Sequence, residues 1–105
     1  MLLLFPATPS LDFDKRYKDM TVHVGGILKI KVTMDGEPAP TVAWYKDGAP
    51  LKERSNVIVT ATDFLTDVMI KRVALTDGGE YKLVAKNESG TTQAIFNVSV
   101  LGESL

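Results

Sequence analysis

The chain has 105 residues, 45% of them hydrophobic and 24% charged, which describes one ordinary globular domain and leaves no length for a second. Twelve basic against thirteen acidic side chains give a formal charge of −1, so the chain lacks the basic footprint that draws proteins to phosphate backbones or acidic bilayers, and neither nucleic acid nor membrane is expected as a partner. With no cysteine there is no disulfide, no thiolate nucleophile and no cysteine metal site, and the expected compartment is a reducing one, the cytosol first.

Met1 to Phe5 is apolar but too short, and lacks the basic start, for a secretory signal; residues 1–9 are read as leader or linker and expected to be loose. Residues 10–102 are read as the domain and 103–105 as a tail, with the alternative that Leu2 to Phe5 pairs with a sheet edge or docks on a neighbouring copy.

From there the apolar pattern repeats every second residue, bounded by Gly, Pro, Asn and Asp, and no segment keeps a 3.6-residue period over three turns, so the chain is all-β. Lys15, Arg16 and Lys18 with Asp12, Asp14 and Asp19 form a mixed-charge stretch expected at a solvated edge. Val22 and Val24 alternate with Thr21 and His23 and lead into Gly25-Gly26, which predicts a hairpin into the next strand. That strand is the clearest: Leu28, Ile30 and Val32 face one side while Lys29 and Lys31 face water.

Asp35 to Pro40 carries two prolines, which donate no backbone bond, and is expected to be a loop. Val42 and Trp44 then alternate with Thr41, Ala43 and Tyr45, so Trp44 should point inward, and Lys46-Asp47-Gly48-Ala49-Pro50 makes a turn. Asn56 to Thr62 and Thr66 to Val73 give two further strands. Tyr81, Leu83 and Ala85, the turn Asn87 to Gly90, and Ala94, Phe96, Val98 and Val100 form a closing hairpin. Some seven strands at such spacing, each with one inward face, fit two antiparallel sheets packed face to face.

Gly36-Glu37-Pro38-Ala39-Pro40-Thr41-Val42-Ala43-Trp44-Tyr45-Lys46-Asp47-Gly48, followed by Leu75-Thr76-Asp77-Gly78-Gly79-Glu80-Tyr81, closely resembles the intermediate-set (I-set) immunoglobulin domain, over about Ser10 to Leu101. The resemblance implies a Greek-key immunoglobulin-like β-sandwich in which Trp44 packs where the two sheets are normally bridged and Tyr81 anchors a corner through its hydroxyl. Val32 and Leu83 fall where that family usually has its two cysteines, so this sandwich is expected without the inter-sheet disulfide. Closing a loop of about 51 residues is worth roughly 4 kcal/mol in the chain-entropy model, and burying Val32 and Leu83 returns on the order of 1.5–3 kcal/mol each, so an apolar pair against Trp44 can replace the bridge.

Within that family, Val24-Gly25-Gly26, Gly36 to Pro40 and Ala85 to Gly90 look like modules of giant sarcomeric proteins of the twitchin/titin family. What this implies is a mechanical spacer and scaffold in the sarcomere, in the A-band. Its partners would be neighbouring immunoglobulin and fibronectin-type modules of the same chain, and myosin or other thick-filament proteins. The alternatives are a regulatory module packed beside a kinase in the same chain and an extracellular adhesion domain, which glycan at Asn87 or Asn97 in their Asn-x-Ser sequons would favour.

Catalytic and cofactor chemistry is not expected. His23 is the lone histidine and lies on an outward strand position; the pairs Asp12 with Asp14 and Asp63 with Asp67 lack the ligand alternation and closing glutamate of a calcium loop. The glycines at 25, 26, 78 and 79 feed no helix and read as turn residues. Asp77 is expected to accept backbone N–H groups and to face a cation, Arg54 or Arg72. Ile95, Tyr45, Phe64 and Leu65 are the apolar groups left most free to touch something else.

Overall fold

The alternation of Leu28, Ile30, Val32 and Met34 with Lys29, Lys31, Thr33 and Asp35 becomes, in the computed structural model, a strand whose first set is buried and whose second is exposed. The structure describes residues 5–102. In chain order the strands are β1 (Ala7–Asp12), β2 (Asp19–His23), β3 (Leu28–Glu37), β4 (Thr41–Lys46), β5 (Ala49–Pro50), β6 (Val57–Ala61), β7 (Leu65–Ile70), β8 (Gly79–Asn87) and β9 (Gly90–Leu101). One sheet has the order β1-β3-β7-β6 and the other β2-β9-β8-β4-β5. All pairings are antiparallel except β2 with β9, which is parallel, and the result is the immunoglobulin-like sandwich that the sequence implies.

Both inner faces contribute to one apolar core. Ile30 and Val32 from β3, Val68 and Ile70 from β7, Tyr81 and Leu83 from β8 and Phe96 from β9 are essentially inaccessible to water. Phe96 sits at its centre, edge-on to Phe13 at 4.9 Å between ring centroids and tilted against Trp44 at 5.9 Å, both within the range where aromatic pairs attract beyond simple burial.

Four expectations are corrected. The hairpin between the segment around Val22 and β3 does not form. Both flanks of β3 are already taken by β1 and β7, so β2 lies in the opposite sheet, running parallel to β9 from Asp19 against Asn97 to His23 against Leu101. Gly25, at φ +86°, helps carry the chain across to the other sheet. Asp35, Gly36 and Glu37 are not loop but the end of β3, paired through Glu37 with Ala7 and through Asp35 with Ser10; the proline argument holds only from Pro38 on. Ordered structure starts before residue 10, because Ala7, Thr8 and the buried Pro9 open β1. The strand expected to reach Val73 stops at Ile70, since Arg72 takes φ +51° and the chain bends there to bring Val73 back into the core. The docking of Leu2 to Phe5 falls largely outside the described residues; Phe5 itself is exposed.

The mixed-charge stretch becomes the crossing between sheets. Asp14 accepts bonds from the backbone N–H of Arg16 (2.9 Å) and from its guanidinium (2.6 Å), capping a 3-10 turn over Lys15–Lys18. These two bonds, the guanidinium's first, hold the Asp14 carboxyl down at about 2. The turn at Lys46–Pro50 closes a hairpin between β4 and β5, with Asp47 and Gly48 both at positive φ as a two-residue turn between twisted strands requires. Asp47 also reaches β8: its Oδ1 accepts the Glu80 N–H at 2.9 Å, and its carboxyl is held below the ordinary range by that bond and by the Lys46 ammonium.

Gly79 and Gly48 therefore differ as sites for a methyl group. A Cβ at Gly48, φ +85°, meets nothing within 4 Å, whereas one at Gly79, φ +144°, would lie 2.6 Å from the Asp47 carboxylate. Gly48→Ala is expected to cost about 1–2 kcal/mol from backbone strain alone. Gly79→Ala adds displacement of the bond to Glu80 and should exceed it by about 1 kcal/mol or more. Denaturant midpoints of the two variants measure the difference, and equal values would show that the Asp47 contact contributes nothing to stability.

Candidate functional site

Trp44 and Leu83 are direct cross-strand neighbours on β4 and β8, and Val32 and Thr66 are direct neighbours on β3 and β7. The Trp44 indole N–H donates to Thr66 Oγ1 at 2.9 Å, a buried bond that ties the two pairs together across the gap between sheets. Val32 and Leu83 are both at 0% exposure and belong to the same core cluster as Trp44, which is 6% exposed. Thr66 passes the polarity on, donating its hydroxyl proton to the Thr60 carbonyl at 2.8 Å, so that no buried side-chain nitrogen or oxygen among the described residues lacks a partner.

Below this layer, the Tyr81 ring is fully buried and its hydroxyl donates to the backbone carbonyl of Asp77 at 2.5 Å, four residues back. The Asp77 carboxylate, itself 4% exposed, accepts the Ala74 N–H at 2.8 Å on one oxygen and meets the Arg54 guanidinium at 2.9 Å on the other. Of the two arginines considered as its cation, the structure selects Arg54. Burial, followed by the negative charge of Asp77, pushes the Tyr81 hydroxyl well above the ordinary tyrosine range.

The groups weighed for catalysis or metal binding are dispersed. His23 is exposed on β2, Asp14 is committed to Arg16, and Asp67 accepts the Thr60 hydroxyl at 2.6 Å. Gly25 and Gly26 lie in the crossing from β2 to β3, Gly78 closes a 3-10 turn over Leu75–Asp77, and Gly79 opens β8. On the outer face of the second sheet, Tyr45 is half-buried beneath the Lys82 ammonium, 5.3 Å from its ring centre, and Ile95 is 39% exposed. Phe64 is 63% exposed and Leu65 partly buried.

Two side chains with organising positions escape a reading of the sequence that looks only for chemistry. Thr66 is in phase with Val68 and Ile70, so the alternation already places it inside; its polarity argues against that place until the indole N–H is considered as its partner. Asn87 stands in a glycosylation sequon that draws attention away from its structural use. Its Nδ2 donates to the Ala7 carbonyl at 2.7 Å and the Pro38 carbonyl at 2.9 Å, and its Oδ1 accepts the N–H groups of Ser89 and Gly90. A glycan on that nitrogen would take the place of one of those two hydrogens.

The family model described as the immunoglobulin I-set domain matches residues 11–100. Among curated proteins, the chain is 34% identical over 93 residues to Titin of Drosophila melanogaster and 33% identical over 94 residues to Muscle M-line assembly protein unc-89 of Caenorhabditis elegans, in each case over 89% of this chain. It spans about 1% or less of the length of either relative. Among solved structures it is similar to the titin domains z1z2 in complex with telethonin, with a TM-score of 0.83 at 28% identity, covering 95% of this chain and 50% of that one.

Two substitutions probe the core described above. Thr66→Val keeps the shape but leaves the Trp44 N–H buried without an acceptor, and is expected to cost about 1–3 kcal/mol in chemical denaturation; a neutral result would mean that the indole finds another partner. Tyr81→Phe should cost a similar about 1–3 kcal/mol at neutral pH. Because folding raises the Tyr81 value, the folded state holds that proton after the unfolded state has released it near pH 10. Stability from this group is complete below about pH 10 and is lost as pH rises through the folded value. Unfolding free energies measured from pH 8 upward should fall more steeply for the parent than for Tyr81→Phe, and parallel curves would contradict the assignment.

Proposed function

Since the chain belongs to the immunoglobulin I-set domain family, we propose that it is a structural and interaction module of a giant intracellular muscle protein, a mechanical spacer and myosin-associated thick-filament scaffold in the A-band. In this reading residues 10–102, extended at the start by Ala7 to Pro9 of β1, are the module proper, immunoglobulin or fibronectin-type modules stand beside it in the same polypeptide, and the domain catalyses nothing. Val32, Trp44 and Leu83 replace the covalent bridge, and Asp77 and Tyr81 hold the corner.

The observation that carries the mechanical part is the parallel pairing of β2 with β9. The first strand begins at Ala7, tied by Asn87 to the β8–β9 turn, and the last strand finishes at Leu101, the far end of the twelve-residue β9. Tension on the two ends pulls β2 and β9 in opposite directions along their length. Five consecutive residue pairs then share the load in shear, instead of parting one at a time as a hairpin does when its strands are pulled apart. The likeness to Titin and to an M-line assembly protein supports the muscle part of the reading.

Stretching the protein between terminal handles tests it. Proline in place of Met20, Thr21 and Val22, one at a time, removes a backbone donor at successive positions, and the N–H groups of adjacent strand residues point to opposite sides. At least one of the three should lower the unfolding force by more than its loss of equilibrium stability accounts for. Unchanged force in all three would relocate the resistance and defeat the spacer reading. Co-sedimentation with purified myosin filaments, retained in an array of modules and absent with actin alone, tests the scaffold part.

A further inference from the structure

We infer that the end of the sandwich where β9 finishes is a docking surface for the leading end of an immunoglobulin module that follows in the same polypeptide, with Ile27, Leu75 and Leu101 as its apolar contacts. The inference rests on the array proposed above and names the surface by which that array would hold its shape. Among the described residues seven large apolar side chains are exposed, and three of them belong to this one end: Ile27 at 62%, Leu75 at 62% and Leu101 at 48%.

The backbone brings them there. Val24 donates to the Leu101 carbonyl at 2.8 Å, Gly25 to the Val73 carbonyl at 2.8 Å, and Val73 back to the Gly26 carbonyl at 3.0 Å. Through Val73, which is 1% exposed, the segments bearing Ile27 and Leu75 are fastened to the core, so the surface is built on a rigid frame and costs little ordering when it is covered.

Its occupant follows from the path of the chain. Gly102 passes so close to Leu75 that a Cβ on it would lie 3.5 Å from Leu75 Cδ2. Only three residues, 103–105, separate Gly102 from whatever follows Leu105, a tether of about 10 Å at full stretch, so a module attached there is held near this patch at high effective concentration. The leading end of a related module is chemically suited to it: in this chain the opposite end exposes Phe5, at 79%, together with Pro38 and Ala39.

The test uses this chain together with the module encoded after it, and measures whether the two tumble as one body by backbone NMR relaxation. Coupled tumbling is expected, lost on Leu75→Ser with Leu101→Ser, the correlation time of each half falling to that of a single module. Because both residues are exposed, melting of the single module should change little; Ile27→Ser gives a second variant outside β9 should Leu101→Ser disturb that strand. Independent tumbling in the parent, or coupling that survives all these substitutions, overturns the docking surface while leaving the array intact. Absence of any immunoglobulin module downstream defeats both readings. A concentration-dependent dimer of the single chain, dissolved by the same substitutions, would show that the occupant is a second copy and overturn the inference.

Discussion

An indole is large, apolar over its rings and polar at one atom, and it can be buried well only where that atom finds an acceptor. Trp44 meets this condition by leaning across the space between the sheets to Thr66. The consequence is a fixed relation between four positions: Trp44 beside Leu83 on one sheet, Val32 beside Thr66 on the other. A covalent bridge between positions 32 and 83 would fix the same relation through a bond of specified length. Here it is fixed by close packing and one directional hydrogen bond, which specify separation and register together. The apolar layers around Phe96 and the corner at Tyr81 build outward from that relation.

Much of this was legible because alternation is a strong signal wherever one face is dry. β3 announces itself through Leu28, Ile30 and Val32, and the hairpin of β8 and β9 through two alternating runs about a four-residue turn. What alternation does not carry is which neighbour a strand takes. Val22 and Val24 alternate as well as Leu28 and Ile30 do, and a glycine pair between two such runs reads as a hairpin. The choice between pairing with β3 and crossing to β9 is decided by the free edges left when the rest of the sheets has assembled, a property of the whole topology that no local window contains. The prolines misled in the same way: the absence of a donor excludes Pro38 and Pro40 from a ladder but says nothing of Asp35 to Glu37, whose partner is the distant Ala7 segment.

The corner was legible in outline and not in detail. The spacing of Asp77 and Tyr81 points to a hydroxyl bonded back along the chain, and that is its geometry, but either Arg54 or Arg72 could have supplied the cation. Arg72 stands exposed at the bend after β7, whereas Arg54 arrives from the segment ahead of β6, bridged to Val57, and its guanidinium is the one that meets Asp77. Asn87 shows the opposite failure. A sequence pattern with a familiar chemical meaning concealed an amide that uses both its hydrogens and its oxygen to join the start of β1, the Pro38 carbonyl and the last turn.

The absence of sulfur at positions 32 and 83 also sets how much slack the molecule can give up. A bridged sandwich, once ruptured, still hides the about 51 residues between its two sulfurs, roughly 170 Å of chain that no pull can recover without a reductant. This one holds nothing in reserve: when Val32 and Leu83 part, the whole ladder pays out to its contour length. Its extension under load is then independent of the redox state of its surroundings, and its recoiling has no thiol chemistry to wait for.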